Sequence, residues 1–355
     1  MKKVISFPGW AMQEIELLAL FKNLLFLVFF FSGIILGQHY PDKSVDSLIT
    51  GGINNIIRQN YSAAEKTFTE LNNSYPELPF GKIYLAALRI AESYDYAEEF
   101  DTDYIEENLN AAKQQSEELL DNDPDSIWYN YFYALTEGYI SYFEALNEDW
   151  ISALTNGMNS IKSFENCLTG NDNFYEAYIA IGTFEYWKSR KTEFLNWLPF
   201  YEDDRSIGID KLKTAAKLAS YNSYLAINSL IWIYIDEKDF TSAIELGETA
   251  LKEFPDSRYF KWGLARAYEG INPMRSIELY EEILNSYPPG RTYNHINEIV
   301  LKHLIAQQSA KIGITVKALQ LCNDILNIDK LDDYAKNKLE NRLKRVRKLK
   351  DSLEK

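Results

Sequence analysis

Histidines and cysteines are the first residues to test for chemistry, because they supply most nucleophiles and metal ligands. The three histidines, His39, His295 and His303, are scattered, and the last two are eight positions apart rather than the four of a helical two-histidine site. Only two cysteines are present, Cys167 and Cys322, too few for a disulfide scaffold or a cysteine-rich metal cluster. The sequence therefore predicts no metal site and no cofactor.

Paired carboxylates are the second possible source of chemistry. Adjacent acids occur at Asp203-Asp204, Glu98-Glu99 and Glu106-Glu107, but neighbours on a helix point about 100° apart. They are typical of solvated faces or, at Asp203 and Asp204, of a helix N-terminus. No phosphate-binding glycine loop, nucleophile elbow or zinc-protease helix is present. We expect a protein that is not an enzyme; a solenoid enzyme with a site near Trp197 is the weakest alternative.

Composition and charge narrow the class further. The chain has 355 residues, 46% of them hydrophobic, which suits an ordered protein with a large core. Lysine and arginine number 37 against 52 aspartate and glutamate, a formal net charge of −15. A nucleic-acid partner is excluded by this balance, because affinity for the phosphate backbone requires excess positive charge.

The N-terminal 37 residues read as a targeting segment. Leu24 to Leu36 is an almost unbroken apolar run of signal-peptide length, preceded by Lys22 and followed by Gly37. A spanning helix needs about 20 apolar residues and would have to include Lys22. Residues 1–37 are predicted to be a cleaved signal peptide or, alternatively, a retained N-terminal anchor, with 38–44 as a linker. Either way the rest of the chain is expected outside the cytoplasm: periplasmic, envelope-associated or secreted.

The remainder of the chain repeats itself. The repeated pattern, called the frame, consists of a small, a large and an apolar residue followed by proline. It first occurs at Ala64, Phe68, Leu71 and Pro76, with Gly52 upstream. The same frame returns at Ala112, Ser116, Leu119 and Pro124; Ser160, Phe164 and Cys167; Leu212, Ala216 and Ala219; Ala243, Gly247, Ala250 and Pro255; Ser276, Tyr280, Ile283 and Pro288; and Ala318, Cys322 and Ile325. Further small residues lie on the helix that precedes the frame in five of the units: Ala86, Ala134, Gly182, Ala265 and Ala306.

This pattern resembles the tetratricopeptide repeat. The resemblance implies an all-α, right-handed α-solenoid of about seven helix pairs over residues 45–330, open along a concave groove lined by the first helices. Small residues at these positions let paired helices approach to about 8–10 Å. Residues 331–355, with an apolar stripe and surrounding charges, are expected to form a C-terminal capping helix. A basic arm for an acidic partner or anionic membrane is the alternative for this tail.

Units two, three and four are longer than the family period, and the fourth carries a distinctive insertion. Large apolar residues around Pro199 include Trp197 and Phe200, and an acidic run ending at Arg205 follows. We interpret the segment as a hydrophobic plug over the enlarged units; a binding loop containing Trp197, Phe200 and Arg205 is the alternative.

Aromatic residues exceed what the repeat frame needs. Placed by helical period, the candidate groove residues are Trp128, Tyr131, Tyr186, Asn228, Trp232, Tyr259, Trp262, Arg266 and His303. Aromatics and arginine supply most binding energy at interfaces. The leading hypothesis is a non-enzymatic extracytoplasmic adaptor that binds a protein or peptide in its groove. A glycan- or envelope-polymer-binding module is the alternative, and membrane contact is expected only through an uncleaved N-terminal segment.

Overall fold

A computed structural model describes residues 38–193, 202–287 and 295–355. The predicted targeting segment lies outside these residues, as do Trp197 and Phe200 of the insertion. Residues 37–355 cluster as one compact unit. Among the described residues, no helix combines the length and apolar character needed to cross a membrane.

The described residues form fifteen α-helices, and none of those residues lies in a β-strand. In chain order the helices are α1 (Lys43–Ile57), α2 (Tyr61–Ser74), α3 (Phe80–Tyr96), α4 (Thr102–Asn122), α5 (Ile127–Leu146), α6 (Trp150–Gly170), α7 (Tyr175–Lys191), α8 (Arg205–Leu218), α9 (Ser223–Asp236), α10 (Phe240–Glu253), α11 (Arg258–Ile271), α12 (Pro273–Asn285), α13 (Ile296–Lys311), α14 (Thr315–Leu326) and α15 (Asp333–Leu353).

Seven consecutive helix pairs, α1–α2 to α13–α14, carry the repeat frame and stack into an all-α solenoid. The small residues of the frame are buried on both helices of a pair, as at Ala64, Ala134 and Ala318. In the first pair a Cβ added at Gly52 would lie 2.3 Å from the Phe68 ring, so the glycine makes room for the large residue of the frame. The predicted tetratricopeptide fold is thereby confirmed.

In the fourth pair the predicted frame lies four residues too far along the chain, and this prediction is wrong. On α8 the buried positions are Gly208, Leu212 and Ala215, whereas Ala216 and Ala219 are half-buried. Gly208 takes the place of the small residue, because a Cβ there would lie 2.5 Å from the carbonyl oxygen of Gly182 on α7. The two glycines thus bring the helices of this pair into backbone contact.

Residues 38–42, which fall within the predicted linker 38–44, are held against the solenoid. The ring of Tyr40 packs edge-on against Trp128 and Phe80, at centroid distances of 5.0 and 5.5 Å. Its backbone N–H donates to the Tyr221 hydroxyl at 2.6 Å. α1 then begins at Lys43, capped by the Asp42 side chain.

The solenoid is not open, because its first two units contact units five to seven. At the end of α1, the Ser257 hydroxyl donates to the carbonyl of Ile57 at 2.9 Å, and the Arg258 N–H donates to Gln59 Oε1 at 2.9 Å. Asp46 accepts a hydrogen bond from the Tyr221 hydroxyl. These contacts join residues 175 to 200 positions apart, for which the local repeat pattern holds no signal.

A buried ion pair completes the closure, and we call it, with its neighbours, the clasp: Asp95, Arg258, Tyr287 and Asn297. The Arg258 guanidinium binds both carboxylate oxygens of Asp95 and lies 4.6 Å from the centre of the Tyr287 ring. Asn297 and Tyr287 both donate to the Asp95 carbonyl, at 2.8 and 3.1 Å. The clasp joins the end of α3 to the sixth and seventh units.

Helix α15 caps the last pair, as predicted. Ala335, Leu339 and Val346 are fully buried against α13 and α14, while most of the charged side chains remain outside. The Tyr334 hydroxyl donates to the carbonyl of Glu98 at 3.2 Å. α15 therefore also contacts the loop that follows α3.

Candidate binding cavity

Closure turns the concave groove into a cavity of about 1220 Å³. All seven first helices contribute to its wall, and α15 lines one end through Tyr334, Lys338, Leu339 and Arg342. The volume is slightly above the usual range for small-molecule pockets, about 300–1,000 Å³. The cavity is large enough for several side chains of a bound segment.

The wall is mainly aromatic and aliphatic. Four of its apolar side chains are exposed: Tyr94 is 64% accessible, Tyr142 46%, Leu225 41% and Trp232 38%. Other wall residues, such as Trp187 and Ile161, are half-buried. The wall therefore offers accessible apolar surface that a ligand can bury.

A buried carboxylate lies on the wall, but the protein already satisfies it. Glu176 Oε1 accepts from the backbone N–H groups of Tyr221 and Asn222, at 2.6 and 3.1 Å. Its Oε2 accepts from Asn222 Nδ2 at 2.8 Å and from the Tyr131 hydroxyl at 3.1 Å. Burial, followed by the charge of Glu176, raises the pKa of Tyr131 well above its ordinary value. The cluster anchors the start of α9, and both carboxylate oxygens of Glu176 accept hydrogen bonds from the protein.

Five of the predicted groove residues do line the cavity: Tyr131, Asn228, Trp232, Tyr259 and Trp262. Trp232 is the most exposed of the five; Trp262 is half-buried and packs edge-on against Tyr280 at 5.8 Å. Asn228 is half-buried, and its Oδ1 atom is inaccessible to solvent. Whether these residues bind a partner stays a prediction.

The other four predicted groove residues do not line the cavity. Trp128 packs among the aromatic rings of Tyr40 and Phe174, and Tyr186 is fully buried with its hydroxyl donating to Asp236. Arg266 pairs with Glu269 on the surface of α11.

His303 is the fourth of these residues, buried between α13 and α15, where its Nδ1 lies 3.3 Å from Arg342 Nη1. The helical period predicts on which face of its helix a side chain lies. Whether that face lines the cavity or packs against the next helix pair depends on how the pairs are rotated relative to one another.

Arg205, the part of the predicted binding loop that the structure describes, begins α8 and binds the Asp203 carboxylate. Asp204 forms an ion pair with Lys188 at 3.2 Å. Both acids thus lie at the N-terminus of α8, as the sequence indicated. Arg205 is not among the cavity-lining residues.

Several wall residues are not among the predicted groove residues. Tyr94 and Tyr142 lie near the ends of α3 and α5, and Lys338 and Arg342 belong to the capping helix. The helical positions of Tyr94 and Tyr142 beside Ile90 and Tyr139 could have revealed the first two. Nothing local in the sequence places α15 beside the lumen, because that contact depends on closure.

An apolar stripe on α6 extends from the cavity wall onto the outer surface. Gly157 and Ile161 of α6 line the cavity, and Leu154 and Trp150 continue the same helical face at 63% and 67% exposure. Ile151 and Met158, 83% and 59% exposed, widen it. Contiguous exposed apolar surface of this kind marks an interaction site.

The described residues contain no group of three or more histidine, cysteine or acidic side chains able to hold a metal ion. His39 and His295 each contact one carboxylate, of Asp46 and Glu298 respectively. Both cysteines are buried free thiols, and burial raises the pKa of Cys167 to about 12, which suppresses the reactive thiolate.

No protein-family model and no curated protein matches the sequence. Among solved structures, the chain is similar to a tetratricopeptide repeat protein from Parabacteroides merdae ATCC 43184, with 12% identity and a TM-score of 0.37 over 87% of this chain and 99% of that one. It is also similar to the C-terminal part of a TPR repeat-containing protein from Cytophaga hutchinsonii, with 15% identity and a TM-score of 0.35 over 81% and 98%.

These likenesses are too low to carry information on a partner or an activity. The chain's own seven helix pairs and their buried small residues define it as a tetratricopeptide-type solenoid.

Proposed function

We propose that the protein is a non-enzymatic scaffold that binds an apolar-rich peptide segment of a partner protein inside the cavity. The observation that carries this proposal is the accessible aromatic wall, above all Trp232, which is 38% exposed on a surface that otherwise encloses a ligand-sized space. Burying such surface gives roughly 25 cal/mol per Å², and Trp and Tyr are the usual anchors of interfaces.

Polar groups on the wall suit a peptide. Asn228 is a half-buried wall residue, and a side-chain amide can donate to a peptide carbonyl or accept from a peptide N–H. A purely apolar ligand would use neither group.

The α6 stripe supports a ligand longer than the cavity. Because Trp150 and Leu154 continue the face that carries Gly157, an extended or helical segment can leave the lumen and remain on apolar surface. A partner protein offers such a segment, whereas a short glycan ends within the cavity.

The compartment is part of the proposal. The apolar run from Leu24 to Leu36 supports export of the chain, so the partner is proposed to be periplasmic, envelope-associated or secreted. Fractionation of the producing cells, with detection by an antibody against the solenoid, tests the location. Detection in the cytoplasmic fraction alone would contradict it.

The binding test is a selection of random peptides displayed on phage against the immobilised protein. We expect the selected peptides to be apolar and to contain aromatic residues. Their affinity for the Trp232→Ala variant should be more than tenfold lower than for wild type, because loss of a hot-spot residue costs about 2 kcal/mol of binding free energy. Val316→Ala is the control, because Val316 is 80% exposed on α14 and is not among the cavity-lining residues.

Equal affinity of the selected peptides for wild type and Trp232→Ala would overturn the proposed site. Retention of an oligosaccharide ligand, with no peptide selected, would favour the glycan alternative instead. Trp232 suits this test better than Trp262, since removing the half-buried Trp262 would also remove its packing on Tyr280.

A further inference from the structure

One end of the cavity is lined by cations. On α15 the side chains of Lys338, Arg342 and Arg345 follow one another at helical spacing and share one face. Lys338 and Arg342 line the cavity, and Arg345 lies one turn beyond. None of the three forms an ion pair within the described parts of the chain.

Arg342 is the most unusual of the three, because it is half-buried without a carboxylate. Its described polar contact is the 3.3 Å hydrogen bond from Nη1 to His303 Nδ1. Burial, with the charges of Arg342 and Arg345 added, lowers the pKa of His303 to about 4, so the imidazole is a neutral acceptor at pH 7. His303 therefore does not balance the charge of the guanidinium.

Other half-buried or buried arginines in the part of the chain that the structure describes are balanced by carboxylates. Arg258 binds Asp95, and Arg190 binds Asp236 at 2.6 Å. Within residues 38–193, 202–287 and 295–355, no carboxylate forms an ion pair with Arg342. Burial, together with the charge of Arg345, lowers the pKa of Arg342, which reflects the cost of an uncompensated cation there.

Three acidic residues are among the described residues of the wall. Asp95 is held by Arg258, and Glu176 accepts four hydrogen bonds near the start of α9. Glu98 lies beside the α15 end, where its backbone carbonyl accepts from Tyr334. Arg342 itself is one of the cavity-lining residues, so a ligand in the lumen lies next to it.

We infer that Lys338 and Arg342 form an anion-binding site at the α15 end of the cavity, with Arg345 adding charge from outside. The inference rests on the proposed function and adds to it the class of ligand: a peptide segment in which an acidic side chain adjoins apolar residues. The apolar wall takes the apolar residues, and the two cations bind the carboxylate through charge-assisted hydrogen bonds.

A pair of fluorescent probes separates the two halves of this site. 1-Anilinonaphthalene-8-sulfonate and N-phenyl-1-naphthylamine share one apolar ring system, but only the first carries an anionic sulfonate. We expect both to bind the protein, and we expect the double variant Lys338→Gln/Arg342→Gln to lose about tenfold in affinity for the sulfonate, as for one charge-assisted hydrogen bond, with no change for the amine.

Arg347→Gln/Lys348→Gln is the matched control. It removes the same two residue types from the same helix, at exposed positions on other faces. Equal loss of sulfonate affinity in both double variants would show a general charge effect and overturn the anion site. Binding of the neutral amine with no loss of sulfonate affinity in Lys338→Gln/Arg342→Gln would also overturn it, while leaving the apolar cavity and the proposed function intact.

Competition then identifies the source of the anion. A short peptide with capped termini, one aspartate and three apolar residues should displace the sulfonate probe at least tenfold better than its asparagine analogue, and the preference should disappear in Lys338→Gln/Arg342→Gln. Displacement by laurate but by neither peptide would overturn the peptide assignment. Failure of the neutral amine to bind at all would count against the apolar cavity itself.

Discussion

Two glycines show how single residues set the geometry of this solenoid. Gly182 on α7 and Gly208 on α8 face each other so closely that a Cβ on either would lie within 2.7 Å of the other's carbonyl oxygen. Backbone atoms cannot move aside as a flexible side chain can. The fourth pair therefore depends on both glycines for its close helix approach.

Gly182→Ala is predicted to lower the free energy of unfolding by about 1–3 kcal/mol, the usual cost of overpacking. Gly51→Ala is the control, because an added Cβ at Gly51 on α1 meets nothing within 4 Å. That change should stabilise the protein by about 0.5–1 kcal/mol, since glycine is a poor helix former. Urea denaturation of both variants measures the difference; a neutral Gly182→Ala would contradict the described packing.

His303 makes the stability of the protein depend on pH. Its pKa is lowered to about 4 in the folded protein, chiefly by burial, against 6.5 ordinarily. Below pH 6.5 the unfolded chain binds a proton that the folded protein does not accept until about pH 4. The contribution of His303 is therefore fully present above pH 6.5 and is lost as the pH falls towards 4.

We predict that wild type loses up to about 1.4 kcal/mol per pH unit more than His303→Gln across this window. Unfolding by urea at pH 7.5, 6.5, 5.5 and 4.5 gives the two profiles. Parallel profiles would show that His303 is protonated in the folded protein or exposed to solvent.

At the scale of helices, the repeat frame predicted most of the fold. A small residue facing a small residue has a local signature, so six of the seven pairs could be placed by spacing alone. The fourth pair could not be placed in this way. Leu212, Ala216 and Ala219 have the same spacing as the buried set Gly208, Leu212 and Ala215, one turn earlier. The amphipathic pattern of α15 likewise predicted a cap, but not its position at the end of the cavity.

The clasp is the contact between helices that the sequence does not reveal. Arg258 and Asp95 have side chains 6% and 12% exposed and come from units far apart in the chain. Neither residue stands out beside the chain's many other charged residues. Their pairing depends on the summed rotation of four repeats, which no local pattern records.

Arg258→Ala is predicted to destabilise the protein by about 3–5 kcal/mol, because Asp95 would remain buried without its counter-ion. Arg275→Ala, which removes the exposed pair of Arg275 with Glu278, should cost less than about 1 kcal/mol. Thermal or urea unfolding of the two variants provides the comparison. A similar small cost for both would mean that the clasp is not formed in solution.

For the whole molecule, the packing of neighbouring units decides which aromatic residues are available to a ligand. Trp128 is held in the core by Tyr40 and Phe174, and Tyr186 is buried with its hydroxyl on Asp236 of the next unit, whereas Trp232 remains accessible. Closure brings α15 beside the first helices. The predicted groove was therefore right in its lining by first helices, but only five of its nine named residues line the cavity.

The central claim is that the ligand binds inside this cavity and not on the outer surface. Ala91 on α3 lines the cavity and is half-buried, so Ala91→Trp would fill part of the lumen. Ala111 on α4 is exposed and is not among the cavity-lining residues, and Ala111→Trp is the matched control. Circular dichroism would first verify that both variants are folded.

Isothermal titration of the phage-selected peptide into wild type, Ala91→Trp and Ala111→Trp is the most direct test. The closed solenoid predicts one peptide per chain, binding weakened at least tenfold in Ala91→Trp, and unchanged binding in Ala111→Trp. Unchanged affinity in Ala91→Trp would place the peptide outside the cavity and contradict the claim.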